Sequence, residues 1–278
     1  MIVFINGRFV PEEEALVPVF DRGFLYGDGL FETIRVRNGV PFQWNRHLGR
    51  LKAGAGFLGI PLPMEDDALQ KTARELATRN NLPDALLRLT LSRGPGPRGY
   101  SPRDATNPTI VLSLHPLPPP KPSWSLITST VRLPGSDPLA RFKTANRLPQ
   151  IRARMEADAA GADEALLLLG DGETVAQGSS SNLFWIDDSD CVCTTRLGGI
   201  VEGTTRAVVI ELCHSLGIPL VERSVTPEQL RSSEGVFLTL SSRGIVEADS
   251  LDGTALRTSR ITSELRRAYA ERLARETD

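Results

Sequence analysis

Lysine is scarce in this 278-residue chain: only four of its 32 basic side chains, at positions 52, 71, 121 and 143, are lysine. Any chemistry that needs a side-chain amine is thereby confined to four candidates. Histidine is scarcer, with His47, His115 and His214 alone. These make no H-E-x-x-H pattern, and no carboxylate cluster stands at metal-ligand spacing. Gly178-Ser179-Ser180-Ser181 lacks the layout of a nucleophile elbow, so metal-dependent and serine hydrolysis fit poorly and no metal is expected. Cysteine is limited to Cys191, Cys193 and Cys213, an odd set without a disulfide framework, which suits a reducing compartment. Cys191 and Cys193 form a C-x-C pair on an expected strand, with no second pair at zinc spacing; ordinary buried thiols explain them.

No run approaches the roughly 18–20 apolar residues of a membrane span. The opening MIVFINGRFVPEEE has no basic segment ahead of a long apolar stretch, as a secretory signal would. The cytoplasm is the expected compartment, with no membrane partner. A net charge of -2 and a pI of about 6.0 lack the basic excess of a nucleic-acid binder. What is present suits a globular protein: 40% hydrophobic residues for a core, 24% charged, and length enough for two domains or one large one.

Residues 2–10 predict a hairpin turning at Asn6-Gly7, a pair that supplies the positive φ angles of a tight turn, and residues 31–44 a second turning at Asn38-Gly39. Trp44, Leu48, Leu51, Ala55 and Leu58 recur every three or four residues, one face of a helix; 65–80 predicts another. Strands are expected over 86–94 and 109–117. The proline-rich HPLPPPKP (115–122) breaks the pattern, since proline cannot join a helix interior or a central strand. Beyond it the spacing predicts strand 125–133, helix 146–160, strands near 164–169, 182–187 and 190–194, helix 204–216, strand 235–240 and a last helix from about 259. The expectation is a mixed α/β fold of two domains, 1–117 and 123–278, joined by a linker at 118–122.

Two glycine-bearing stretches invite a functional reading. Gly94-Pro95-Gly96-Pro97-Arg98-Gly99-Tyr100 is no phosphate loop, because prolines replace the N–H donors such a loop needs. It reads either as a plain loop or as a rigid one aiming Arg98 at a carboxylate. Gly203-Thr204-Thr205 opens an expected helix, and its N–H groups and hydroxyls suit a phosphate cup as well as an ordinary threonine N-cap.

In order along the chain, DRGFLYGDGLFETIRV (21–36), HLGRL (47–51), SRGPGPRGY (92–100), KTANRLPQ (143–150), ADEALLL (162–168), GSSSNLFW (178–185), EGTTR (202–206) and LTLSSRGIVEA (238–248) resemble the class IV (fold type IV) pyridoxal-phosphate enzymes. That family includes branched-chain and D-amino acid aminotransferases and 4-amino-4-deoxychorismate lyases. The resemblance implies pyridoxal 5'-phosphate as cofactor, a homodimer with neighbouring-subunit loops near the site, and Lys143 as the catalytic lysine that bonds the cofactor aldehyde and shuttles a proton at the substrate. Lys52 and Lys71 fall on expected helices and Lys121 in the linker. The resemblance also implies a phosphate cup of Arg50, Thr204, Thr205 and Ser241, with Gln177, Ser181 and Asn182 as further cofactor contacts. Phe31, Arg35, Arg98, Tyr100 and Ser242 would face the substrate, and Glu32 would support the lysine from behind. Phe31 stands where some D-amino acid aminotransferases have tyrosine.

One position departs from the family pattern. A glutamate normally lies five residues before the asparagine matched by Asn182 and pairs with the cofactor's pyridine nitrogen; here it is Gln177. A neutral amide can hydrogen-bond that nitrogen but supports its positive charge weakly. The motifs fit three outcomes: a lyase releasing pyruvate and 4-aminobenzoate, favoured by the Arg-Gly-Tyr loop and the Asn-Arg-Leu run after Lys143; a D-amino acid or branched-chain transaminase; or a cofactor-binding paralogue with weakened catalysis.

Overall fold

A computed structural model describes residues 1–278, which form two compact units. The first comprises Met1–Pro118, Phe142–Asn146 and Leu273–Asp278; the second comprises Pro119–Arg141 and Arg147–Arg272.

The first unit holds β1 (Ile2–Ile5), β2 (Arg8–Pro11), α1 (Arg22–Tyr26), β3 (Gly29–Arg37), β4 (Val40–Pro41), α2 (Trp44–Leu58), α3 (Asp66–Arg79), β5 (Ala85–Ser92) and β6 (Thr109–His115). Its six strands form one antiparallel sheet in the order β2-β1-β6-β5-β3-β4. Asn6-Gly7 and Asn38-Gly39 turn the two hairpins with positive φ at all four residues, as their side chains foretell. One face of β3 and β5 is apolar, carrying Leu30, Ile34 and Val36 opposite Leu91, Leu87 and Ala85. Leu48, Leu51 and Ala55 of α2 share that core. Burying each such leucine contributes about 1.5–3 kcal/mol, so the helix is held chiefly by this stripe.

The second unit holds β7 (Ser123–Leu133), α4 (Leu148–Ala159), β8 (Glu164–Leu169), β9 (Val175–Gly178), β10 (Asn182–Ile186), β11 (Val192–Thr194), α5 (Thr204–Leu216), β12 (Leu220–Glu222), α6 (Pro227–Ser232), β13 (Gly235–Leu240), β14 (Gly244–Leu251), β15 (Thr254–Ala255) and most of α7 (Arg260–Thr277). Its mixed sheet runs β12-β11-β10-β13-β14-β7-β8-β9, with β15 on β14. Strands β8 and β10 are buried almost throughout, and their near-continuous apolar sequences, EALLLL and NLFWI, reflect it.

Three expectations are corrected. A division at 118–122 alone is too simple, because residues 142–146 lie along β3: Phe31 N–H donates to Lys143 O (2.9 Å) and Ala145 N–H to Gly29 O (2.8 Å). The last residues also return to the first unit, where Gln43 Nε2 donates to Glu276 (2.6 Å) and Asn38 Nδ2 to Thr277 O (3.3 Å). For the first of these reasons α4 begins at Leu148 rather than 146, Asn146 being engaged by Gly27 O (3.1 Å). Cys191 precedes β11 instead of lying on it, in the turn closed by Asp187 N–H to Cys191 O (3.1 Å). No helix is long and apolar enough to cross a membrane.

Candidate active site

In the first unit, strand register gathers the reactive side chains. Phe31 pairs with Thr90, Thr33 with Arg88 and Arg35 with Leu86, so all six share the sheet face opposite the apolar core. An isolated antiparallel bridge joins Leu30 to Thr144, which sets Lys143 opposite Phe31 on the same face. The Lys143 Nζ stands 4.5 Å from the Phe31 ring centroid, and the Arg88 guanidinium carbon stands 3.4 Å from it. One aromatic ring thus carries the amine and a guanidinium, while Arg35 lies two residues beyond Thr33 on the same strand. Arg88 is a site residue that sequence reasoning missed. Its only sequence signal, a charge within the apolar run LLRLTLS, acquires meaning through the register with β3.

Behind this face, Glu32 points the other way into a buried charge cluster. It is 1% exposed and accepts from Arg50 Nε (2.8 Å), Arg50 Nη2 (2.5 Å) and His47 Nδ1 (2.7 Å). Burial alone would raise the Glu32 carboxyl, but the Arg50 charge and the hydrogen bonds from His47 and Arg50 outweigh it and bring it down to about 2. Burial dominates at His47 and lowers its pKa despite the Glu32 carboxylate, so the ring is a neutral donor at neutral pH. Glu32 therefore fixes the plane of the Arg50 guanidinium. The α2 spacing does this, with His47 and Arg50 three residues apart on one helix face.

Arg98 and Tyr100 lie elsewhere in this unit, on an exposed loop between β5 and β6. Tyr100 is 88% exposed and meets the Tyr26 ring edge-on at 5.6 Å.

In the second unit, groups suited to an anion gather at the start of α5. Gly203, not a threonine, is the N-cap of α5, which corrects the ordinary N-cap reading: Thr204 and Thr205 are the first helical residues, so their N–H groups have no partner within the helix. Thr204 Oγ1 lies 3.5 Å from Ser241 Oγ, joining the helix start to the turn after β13. A Cβ at Gly203 would fall 2.0 Å from Asn182 Oδ1, so only glycine permits this approach. Asn182 Nδ2 in turn donates to Val201 O (3.0 Å) and holds the loop leading into the helix. Backbone donors, two hydroxyls and the positive end of a helix dipole are the donor set a phosphate monoester needs. Ser242 follows Ser241 in the same turn, half-buried.

Gln177 is the penultimate residue of β9, 6% exposed and opposite Leu167 of β8. Its neighbours are set by Glu164, a fully buried carboxylate that the sequence reading left unremarked. Glu164 accepts from the hydroxyls of Ser179, Ser180 (2.9 Å) and Ser181 (3.1 Å) and from the N–H groups of Ser179 (3.1 Å) and Ser180 (3.2 Å). One carboxylate thus pins the whole serine turn between Gln177 and Asn182.

Asp187, Cys191 and Cys193 bring ligand-type atoms within 4.8 Å of one another. Arg223 already pairs with Asp187 at 3.1 Å, and burial pushes the Cys193 thiol up to about 12. The Arg223–Asp187 ion pair beside one buried and one half-buried thiol accounts for this grouping.

Comparison with known proteins gives a consistent relationship. Residues 29–251 match the Amino-transferase class IV family. A putative branched-chain-amino-acid aminotransferase of Methanocaldococcus jannaschii is 35% identical over 277 residues, covering 98% of this chain and 96% of that protein. The 4-amino-4-deoxychorismate lyase of Pseudomonas aeruginosa superposes with a TM-score of 0.85 at 34% identity, covering 97% and 98% of the two chains. The T.th. branched-chain amino acid aminotransferase, solved with N-(5'-phosphopyridoxyl)-L-glutamate, gives 0.91 at 28% identity, covering 99% and 94%.

Proposed function

This chain belongs to the class IV aminotransferase family and is a pyridoxal 5'-phosphate enzyme; from that premise we propose that it acts as a 4-amino-4-deoxychorismate lyase, releasing pyruvate and 4-aminobenzoate. The observation that carries this reading is the sheet face on which Arg35 and Arg88 accompany Lys143 and Phe31. Two guanidiniums beside the reactive amine suit a substrate with two carboxylates, as aminodeoxychorismate has. The Arg98-Gly99-Tyr100 loop, resembling that of the lyases, adds a third cation.

We assign the cofactor's aldehyde to Lys143 and its phosphate to Thr204, Thr205, Ser241 and Arg50. Gln177, Ser181 and Asn182 would hold its ring, the Gln177 amide serving as the partner of the pyridine nitrogen. When bound, the cofactor supplies an electron sink for the amino-bearing carbon. Lys143 takes the proton from that carbon and later returns one. Arg35, Arg88, Arg98, Tyr100 and Ser242 orient the carboxylates, and Phe31 excludes water from the amine. For the lyase reaction the C–H bond at the amino-bearing carbon breaks and the neighbouring C–O bond breaks with its electron pair on oxygen. The departing enolate takes up a proton at carbon to become pyruvate, and the ring becomes aromatic. Transamination would instead return the proton to the cofactor side and release a keto acid.

We further propose a cytoplasmic homodimer. Leu16, Val19, Phe20 and Phe24 are 79%, 66%, 68% and 76% exposed and nearly contiguous in sequence, an apolar surface that a second copy would cover. Arg98 and Tyr100, also exposed, would then serve the neighbour's substrate.

A second reading, a branched-chain or D-amino acid transaminase, is favoured by the 35% identity to a putative branched-chain aminotransferase. Supplying the holoenzyme with aminodeoxychorismate, and separately with D- and L-amino acids plus a keto acid, decides between them. The lyase reading predicts 4-aminobenzoate. Keto acid formation without 4-aminobenzoate overturns it in favour of the transaminase, and neither product from a cofactor-loaded protein points to the weakened paralogue.

A further inference from the structure

The loop that carries Arg98 and Tyr100 cannot hold itself. Prolines 95, 97 and 102 remove three N–H donors from it, so its own backbone has few bonds to make. Its order comes from Arg22, at the start of α1 and only 3% exposed. Three successive carbonyls turn inward onto that guanidinium: Arg22 Nη1 donates to Gly99 O (2.8 Å) and Ser101 O (3.3 Å), and Nη2 donates to Tyr100 O (3.0 Å). The remaining edge, Nε, donates to Asp28 (2.8 Å). Asp28 is itself gripped by Arg93 through Nε (2.7 Å) and Nη2 (3.1 Å), and Arg93 is tied to Leu58 O and Gly59 O at the end of α2. Tyr26 lies beneath, with the Arg22 guanidinium 4.9 Å from its ring centroid and its hydroxyl accepting from Gly99 N–H (3.1 Å).

We propose that Arg22 is the positioning residue of the substrate-carboxylate loop, setting where Arg98 and Tyr100 stand; this rests on the reading above that those side chains grip a carboxylate. Arg22 touches no substrate itself. Its planar fork serves three carbonyls and a carboxylate in one geometry, which an ammonium point charge cannot reproduce. The carbonyls at 99–101 would otherwise face a loop without donors. Turned instead onto one cation, they leave the side chains of residues 98 and 100 directed to solvent, where a second chain can meet them.

The test uses the full-length holoenzyme and its best carboxylated substrate, with amide exchange over residues 98–104 as an independent readout. In Arg22→Ala the loop amides exchange faster, KM rises about tenfold and kcat changes less than about threefold, the pattern of lost binding without lost chemistry. Arg22→Lys behaves like the alanine variant, and methylguanidinium added to Arg22→Ala lowers KM again. Combining Arg22→Ala with Arg98→Ala raises KM by less than the product of the two single effects, because Arg22 acts in part through Arg98. Unchanged loop exchange, a KM effect that adds fully to that of Arg98→Ala, or a fall in kcat at constant KM each overturns the proposal. Where Arg22→Ala fails to fold, Arg22→Lys with the same readouts decides. If Arg98→Ala itself leaves KM unchanged while Arg22→Ala still frees the loop, the carboxylate reading of the loop falls, whereas Arg22 as the holder of the loop stands.

Discussion

Replacing Glu32 by glutamine removes one buried charge while keeping nearly the same shape, and its consequence can be worked from the cluster around it. The Glu32 carboxyl sits at about 2 in the folded chain against an ordinary value of 4.5: burial opposes its charge, and Arg50 and His47 more than offset that burial. A folded pKa below the unfolded one contributes stability that is complete above pH 4.5 and lost as the pH falls through about 2. The shift corresponds to about 3 kcal/mol at neutral pH, since each pKa unit is worth about 1.4 kcal/mol. Glu32→Gln should therefore be less stable than the parent by about 3 kcal/mol at pH 7, with Arg50 left buried beside a neutral amide. Below pH 4.5 the gap narrows by up to about 1.4 kcal/mol per pH unit, because only the parent has a carboxylate to protonate there. Urea unfolding of both proteins at pH 7, 5 and 3.5 measures it. A gap that stays constant from pH 7 to pH 3.5, or no gap at pH 7, would refute the charge account of this cluster.

Two further outcomes follow from the site. Gln177→Glu restores an anionic partner for the pyridine nitrogen and should raise kcat about tenfold or more and alter the near-visible spectrum of the holoenzyme; an unchanged rate and spectrum would show that this position does not limit the enzyme. Arg88→Leu keeps the contact with Phe31 but removes a cation, so KM for a dicarboxylated substrate should rise about tenfold or more while that for a monocarboxylated one changes less; equal effects on both would show that Arg88 does not recognise a second carboxylate.

Much of the fold could be read along the chain because its signals are local. Asn6-Gly7 and Asn38-Gly39 demand their turns, and the stepping of Trp44, Leu48, Leu51 and Ala55 demands a helix with one buried face. What escaped depends on pairing between distant segments. The lysine-bearing stretch 142–146 joins the first unit because its backbone bonds to Gly29 and Phe31 more than 100 residues earlier, which no local pattern announces. Arg88 lies within an apolar strand sequence, and only its register with Thr33 brings it over Phe31. Glu164 and Arg22 sit inside motifs visible in the sequence, yet their work is to hold three serines and three carbonyls respectively, and both depend on tertiary contacts. Gly203 shows the converse: its place at the start of α5 was legible, while the reason for glycine, the 2.0 Å approach of Asn182 Oδ1, was not.

Lys143 remains the centre of the account, the one lysine whose amine lies over Phe31 on the arginine-bearing sheet face. Borohydride reduction of the holoenzyme followed by peptide mass analysis tests it most directly. The account predicts a near-visible absorbance that reduction abolishes, with the mass of the reduced cofactor on the peptide containing Lys143, and no such label in Lys143→Ala. A label on Lys52, Lys71 or Lys121, or a protein that takes up no pyridoxal 5'-phosphate, would contradict it.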